Sequence, residues 1–209
     1  MRLLGRSAGS AALAALLVGT AGCAESPDDH AFEVTRPTTT FIGIGVTEGA
    51  RKFHVSVPLD HPGSALQIID VDAHVSANVD FLGAVAVWPR DIKKYNAGAG
   101  VGYPPANVKG THPISEPVSP AETLFEPKGF GGPGAVSVVA GFRLREGEIG
   151  SMNGVRVIYE VDGERTLKDS PQAGIACLEP KGCKGPTGSD DPDFQYRILR
   201  EAGLLPEDD

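Results

Sequence analysis

Gly154-Val155-Arg156-Val157-Ile158-Tyr159-Glu160-Val161-Asp162-Gly163 is the stretch that decides the fold class. Val155, Val157, Tyr159 and Val161 alternate with Arg156, Ile158, Glu160 and Asp162. A period of two is the mark of a strand, because successive side chains leave opposite faces. Asp162-Gly163 then supplies a two-residue hairpin turn, since both positions tolerate positive φ. A return strand is expected from Glu164 to Lys168, and a last strand ending near Cys177. Upstream, Val136, Val138, Ala140, Phe142 and Leu144 alternate with Ser137, Val139, Gly141, Arg143 and Arg145.

Further back, Ile69, Val71, Ala73 and Val75 face one way, and Asp70, Asp72, His74 and Ser76 the other. Ser76-Ala77-Asn78 reads as a turn, after which Phe81 to Val87 runs back. That predicts a hairpin with one solvated face. Phe41–Val46 and Phe53–Val57 complete the β-prone runs, with Phe53, Val55 and Val57 on one face. About seven or eight short strands joined by turns predict an antiparallel Ig-like β-sandwich, an all-β fold. The tail holds one helix signal. Asp191 can cap, Pro192 suits the first helical position, and Gly203 can end it.

Composition agrees. The 209 residues include 27 Gly and 17 Pro, which favours turns over long helices. The formal net charge is −8. Taking Arg2 and Arg6 from the 19 basic residues leaves 17 against 27 acidic ones, a net charge of −10. An acidic surface repels phosphate backbones, so nucleic acid is not an expected partner.

The first 22 residues read as an export signal. Arg2 and Arg6 form a short positive start, and an apolar stretch follows with Ala11 to Val18 at its centre. That stretch is too short for a membrane span and fits a cleaved signal peptide. Thr20-Ala21-Gly22-Cys23 then resembles the lipobox of bacterial lipoproteins, with Thr20 where Leu is usual. The resemblance implies cleavage before Cys23 and a lipid on Cys23. The expected location is the extracytoplasmic face of the cell membrane, with the lipid on Cys23 as the membrane contact. The open alternative is ordinary secretion after cleavage at Ala24. Residues 23–40 are polar, with Pro27, Pro37 and Thr38-Thr39-Thr40, and read as anchor and tether. Residues 41–189 form the sandwich domain, and 190–209 a helix and acidic tail.

Cys177 and Cys183 remain once Cys23 is set aside. In an exported chain an even pair at short spacing predicts a structural disulfide. A redox pair would want Cys-x-x-Cys at a helix start, which is absent.

Several of these features together resemble uncharacterised exported lipoproteins of high-GC Gram-positive (actinobacterial) bacteria. They are the Cys23 lipobox, the first hairpin, Gly102-Tyr103-Pro104-Pro105, Val138–Leu144, the Gly154–Val161 strand and a late Cys. The resemblance spans most of residues 65–178. It implies the sandwich and the envelope location, and it brings no activity with it.

Catalytic chemistry is not legible. No Gly-x-Ser-x-Gly elbow occurs in the mature chain, and no phosphate-binding Gly-x-x-x-x-Gly-Lys loop. Asp70, Asp72 and His74 are ligand types on one strand face, but the alternation runs on to Ser76, as any solvated face would. Blue-copper sites need two His and a Cys, usually with an axial Met. Here no His follows His112 and no Met follows Met152. His30, His54, His61 and His112 are scattered, and His61 and His112 read as loop residues before Pro. Neither an enzyme, a metal site nor a cofactor is expected.

Residues 89–134 stand apart. Pro, Gly, Asn and Ser dominate there, and no period survives. A connection this long is functional or poorly ordered. Trp88, Tyr95, Tyr103, Phe125 and Phe130 gather in or beside it. Aromatics on a loop either anchor a partner or pin the loop to the fold. The expectation is therefore a non-catalytic binding or interaction module of the cell envelope, with other envelope proteins as partners. Its alternative is a small-ligand or metal carrier with a pocket under the 89–134 loop.

Overall fold

Nine strands assemble into two sheets in the computed structural model, which describes residues 41–92, 98–128, 134–178, 183 and 192–205. The strands are β1 Phe41–Val46, β2 Lys52–Leu59, β3 Leu66–Val75, β4 Val79–Val87, β5 Ala99–Val101, β6 His112–Pro113, β7 Val136–Leu144, β8 Ile149–Val161 and β9 Glu164–Leu178. A single helical turn, α1, spans Pro120–Thr123, and α2 spans Pro192–Glu201. One sheet has the order β1-β9-β8-β3 and the other β5-β2-β7-β4-β6. The expected all-β sandwich with a short C-terminal helix is what forms. Its pairs are antiparallel except at one edge, where β1 runs parallel to β9.

Between the sheets lies the core. Phe53, Val55, Val57 and Leu59 of β2 meet Val138, Ala140, Phe142 and Leu144 of β7. Met152, Val155, Val157 and Tyr159 of β8 close it from the other sheet. Phe142 stacks on Phe53 at 5.2 Å and tilts against Phe81 at 5.7 Å. Truncating such a residue leaves a cavity as well as losing transfer energy, about 3–5 kcal/mol for Phe→Ala.

The Asp162-Gly163 turn forms as read, with φ of 51° and 85°, and joins β8 to β9. The return is one strand and not two. Pro171, which has no N–H to give, falls in the irregular stretch between the Val155–Ser170 and Asn153–Ala173 pairs. Gly154 on the facing strand has φ of 92° and takes up the bulge.

Two expectations for residues 65–87 are corrected. β3 and β4 do not pair as a hairpin. β3 pairs with β8, and β4 pairs with β7 and β6, so Ser76–Asn78 is a corner between sheets. Side-chain bonds hold that corner to the start of β8. Ser76 Oγ donates to Asn78 Oδ1 at 2.8 Å, and Asn78 Nδ2 donates to the Ile149 carbonyl at 2.8 Å. Ile69 also leaves the face expected for it. A register shift between Ile68 and Asp70 buries Ile68 and Val71 and leaves Ile69 39% exposed. Alternation reports that a strand has two faces, but not its partner or its bulges.

Residues 102–111, between the edge strands β5 and β6, are a strap across the outer face of the five-stranded sheet. Val108 and Ile92 pack on Val87 and Val139, with Tyr103 and Val85 beside them. His54 Nδ1 bonds the Gly102 carbonyl at 2.7 Å. Tyr103 lies flat on Gly141, where any Cβ would overlap its ring.

On the other sheet, Leu199, Leu204 and Leu205 of the α2 region pack on Ala173, and Tyr196 meets Phe41 edge-on at 5.0 Å. Gly203 ends α2 at φ 70°, with Leu204 N–H donating to the Leu199 carbonyl at 2.8 Å. This is the expected glycine stop. The capping expected of Asp191 lies outside the described residues.

Gly141→Ala should lower stability by about 2 kcal/mol through overpacking against Tyr103, read from the urea midpoint. In a Tyr103→Ala background the same change should cost far less, because the clash is gone.

Candidate functional site

The strap meets β4 in a cluster of polar side chains. Trp88 follows β4 and precedes a 3-10 turn, Pro89–Asp91. β6 pairs Ala86 with His112, which brings the imidazole onto the indole. The two rings lie parallel, 5° apart in plane and 3.8 Å between centroids. His112 Nε2 is 2.9 Å from Asp91 Oδ2, and its Nδ1 is 3.2 Å from Glu116 Oε2. Carboxylates only accept, so both bonds form together only when both ring nitrogens carry hydrogen.

Arg90 carries the network onward. Its guanidinium is 4.6 Å from the Trp88 ring, and its Nη1 donates to Glu122 Oε1 at 2.7 Å. Lys109 Nζ donates to the Arg90 carbonyl at 2.9 Å. These contacts join the 3-10 turn, the strap and α1. Thr123 Oγ1 accepts from Gly63 N–H at 3.0 Å, so α1 is also tied to the β2–β3 connection.

This arrangement sorts the candidate aromatics. Trp88 is 6% exposed, and its surface is spent on His112 and Arg90. Tyr103 is half-buried on Gly141. Phe125 is 44% exposed, and Leu124 beside it 54%. Tyr95 and Phe130 lie outside the described residues, as does Cys23. Sequence reading missed Leu124 and the Asp91–His112–Glu116 set. His112 looked like a loop residue before Pro113 and is instead in strand β6. No local pattern marks that set, because residues 91, 112 and 116 meet only once the strap is laid down.

Other expected features take these places. Cys177 and Cys183 form the disulfide, with Cα atoms 5.1 Å apart. Asp70 and Asp72 are exposed, and His74 is half-buried. His61 Nε2 is 3.0 Å from the Tyr159 hydroxyl. Among the described residues, no group of three or more His, Cys, Asp or Glu is arranged to hold a metal ion. A cleft of about 400 Å³ opens between the Ser76–Asn78 corner and α2, lined by Ile149, Ser151, Ile198 and Glu201. It lies away from the strap, whose described part is packed directly on the sheet.

Fold and site together define an all-β sandwich protein with a strapped sheet. No family model matches the chain, and no curated protein does. Among solved structures it is similar to the CooA pilin subunit from enterotoxigenic Escherichia coli. The identity is 6% and the TM-score 0.32, over 67% of this chain and 90% of that one. A likeness that distant carries neither a site nor a partner across.

His112→Ala should shift Trp88 emission to the red and raise its intensity, since Trp88 is the one Trp in the chain. The same change should cost about 1–2 kcal/mol through lost bonds and stacking. Burial pushes the Tyr103 and Tyr159 phenols up from their ordinary value. The unfolded chain then loses those protons first, so stability should fall as pH rises past about 10. Urea midpoints across that range should fall less steeply in Tyr103→Phe and Tyr159→Phe than in the parent.

Proposed function

We propose that this protein is a lipoprotein anchored through Cys23 on the extracytoplasmic face of the cell membrane, and that its sandwich is a non-catalytic interaction module. The lipobox resemblance at Thr20–Cys23 supports the anchor. The Cys177–Cys183 disulfide supports an oxidising compartment. The observation that carries the interaction reading is the exposed pair Leu124–Phe125 at the exit of α1. The turn behind it is held by Thr123 and by the Arg90–Glu122 ion pair. An apolar pair on a tethered turn meets a partner with little ordering cost, which suits a protein contact.

The carrier reading keeps one observation in its favour, the cleft beside α2. Its position differs from the pocket under the strap that sequence reasoning expected.

Leu124→Asp/Phe125→Asp in the full-length lipoprotein should remove in-cell crosslinks formed from the α1 turn while leaving the thermal midpoint unchanged. Crosslinks that persist unaltered would place the contact surface elsewhere. Native mass spectrometry of the same membrane-extracted protein should show diacylglycerol mass on Cys23. A chain starting at Glu25 would make it a secreted factor instead.

A further inference from the structure

β1 is a weak strand by composition. Two of its six residues, Gly43 and Gly45, bring no side chain to pack and a high entropic cost of ordering. It lies at a sheet edge and, among the described residues, pairs laterally only with β9, from Phe41↔Ala173 to Val46↔Leu178. Ile44 and Val46 point into the core, and Phe41 is covered by Tyr196 of α2. Between these anchors the outward face is bare backbone.

Cys183 fills that gap. A Cβ placed on Gly43 would lie 3.4 Å from Cys183 Cβ and 3.8 Å from its Sγ, ordinary contact distances. Gly43 is paired with Ile175, two residues before Cys177 on β9. The bridge therefore rises from β9 and sets its second half over the neighbouring strand, where β1 has no side chain of its own. Closing a short loop is one consequence of such a bridge, and clamping β1 to β9 is another.

We propose that the Cys177–Cys183 bridge is a redox-operated lock on strand β1, opened by a dithiol. Cys183 is half-buried and Cys177 buried, so the thiolate of an external dithiol attacks Cys183 Sγ. The Cys177 sulfur leaves as thiolate and takes up a proton. The second thiol of the dithiol then resolves the mixed disulfide and releases Cys183. The protein gains two electrons and two protons, and the dithiol becomes a disulfide. Cys183 is then free to lift from Gly43, and β1 loses the contact over its glycines. The β9 edge from Ala173 to Leu178 becomes available as β1 frays.

Hydrogen–deuterium exchange of the whole protein, oxidised and then reduced with dithiothreitol, tests this. Alkylation mass verifies that both thiols are free. Protection of β1 amides should fall about tenfold or more on reduction, while β2 and β7 amides keep theirs. Re-oxidation should restore it, and Cys177→Ser/Cys183→Ser should match the reduced protein. Unchanged β1 protection after verified reduction would overturn the proposal. So would an equal loss in every strand, or loss of the near-ultraviolet signal of Trp88, because the bridge would then serve the domain as a whole. If the double variant fails to fold, the reduced parent protein decides alone.

Discussion

Burial of β7 on both its faces is the constraint from which the architecture follows. Val138, Ala140, Phe142 and Leu144 point into the sandwich, and Val139 and Gly141 point away from it. A strand apolar on both sides cannot leave one side in water, so the five-stranded sheet needs a cover. The strap is that cover. Gly141 is the point of closest approach, because only a residue without a side chain lets the Tyr103 ring lie on the backbone. What looked like a free connection in composition is a structural layer over its described part.

The same logic explains how the second sheet ends. Its outer face is covered at Ala173 and Phe41 by the α2 region, through Leu199, Leu204 and Tyr196. Its edges are guarded by other means. β3 carries two register shifts and the exposed Asp70 and Asp72, which discourage pairing with another chain. β9 carries Lys168, whose Nζ reaches the Pro58 carbonyl of the facing sheet at 2.6 Å, and then Pro171. Beyond Pro171 the edge is taken by β1, a strand with two glycines among its six residues.

Two sets of polar side-chain contacts play different parts. Arg156 lies against Asp169 at 2.8 Å across the β8–β9 pair, and this hydrogen bond raises the pKa of its guanidinium from the ordinary value. It reinforces a register that the Asp162-Gly163 turn already sets. Asp91–His112–Glu116 and Arg90–Glu122 join segments far apart in the chain. They position the α1 turn, and through it the exposed Leu124 and Phe125.

Local pattern carried the longer strands (but not β5 and β6), most of their inward residues, the hairpin turn, the glycine stop of α2 and the disulfide pair. Each depends on neighbours within a few residues, or on the small number of cysteines. The partner of each strand was not legible, and the mistaken β3–β4 hairpin shows why. Alternation is identical whether a strand turns back within its own sheet or crosses to the other. The bulge at Ile69 was hidden for a related reason, since a register shift answers to the facing strand β8. The Trp88–His112 stack and the Cys183–Gly43 contact join residues 24 and 140 positions apart. Nothing local announces such meetings, because they are settled by which surfaces remain uncovered once the two sheets have closed on each other.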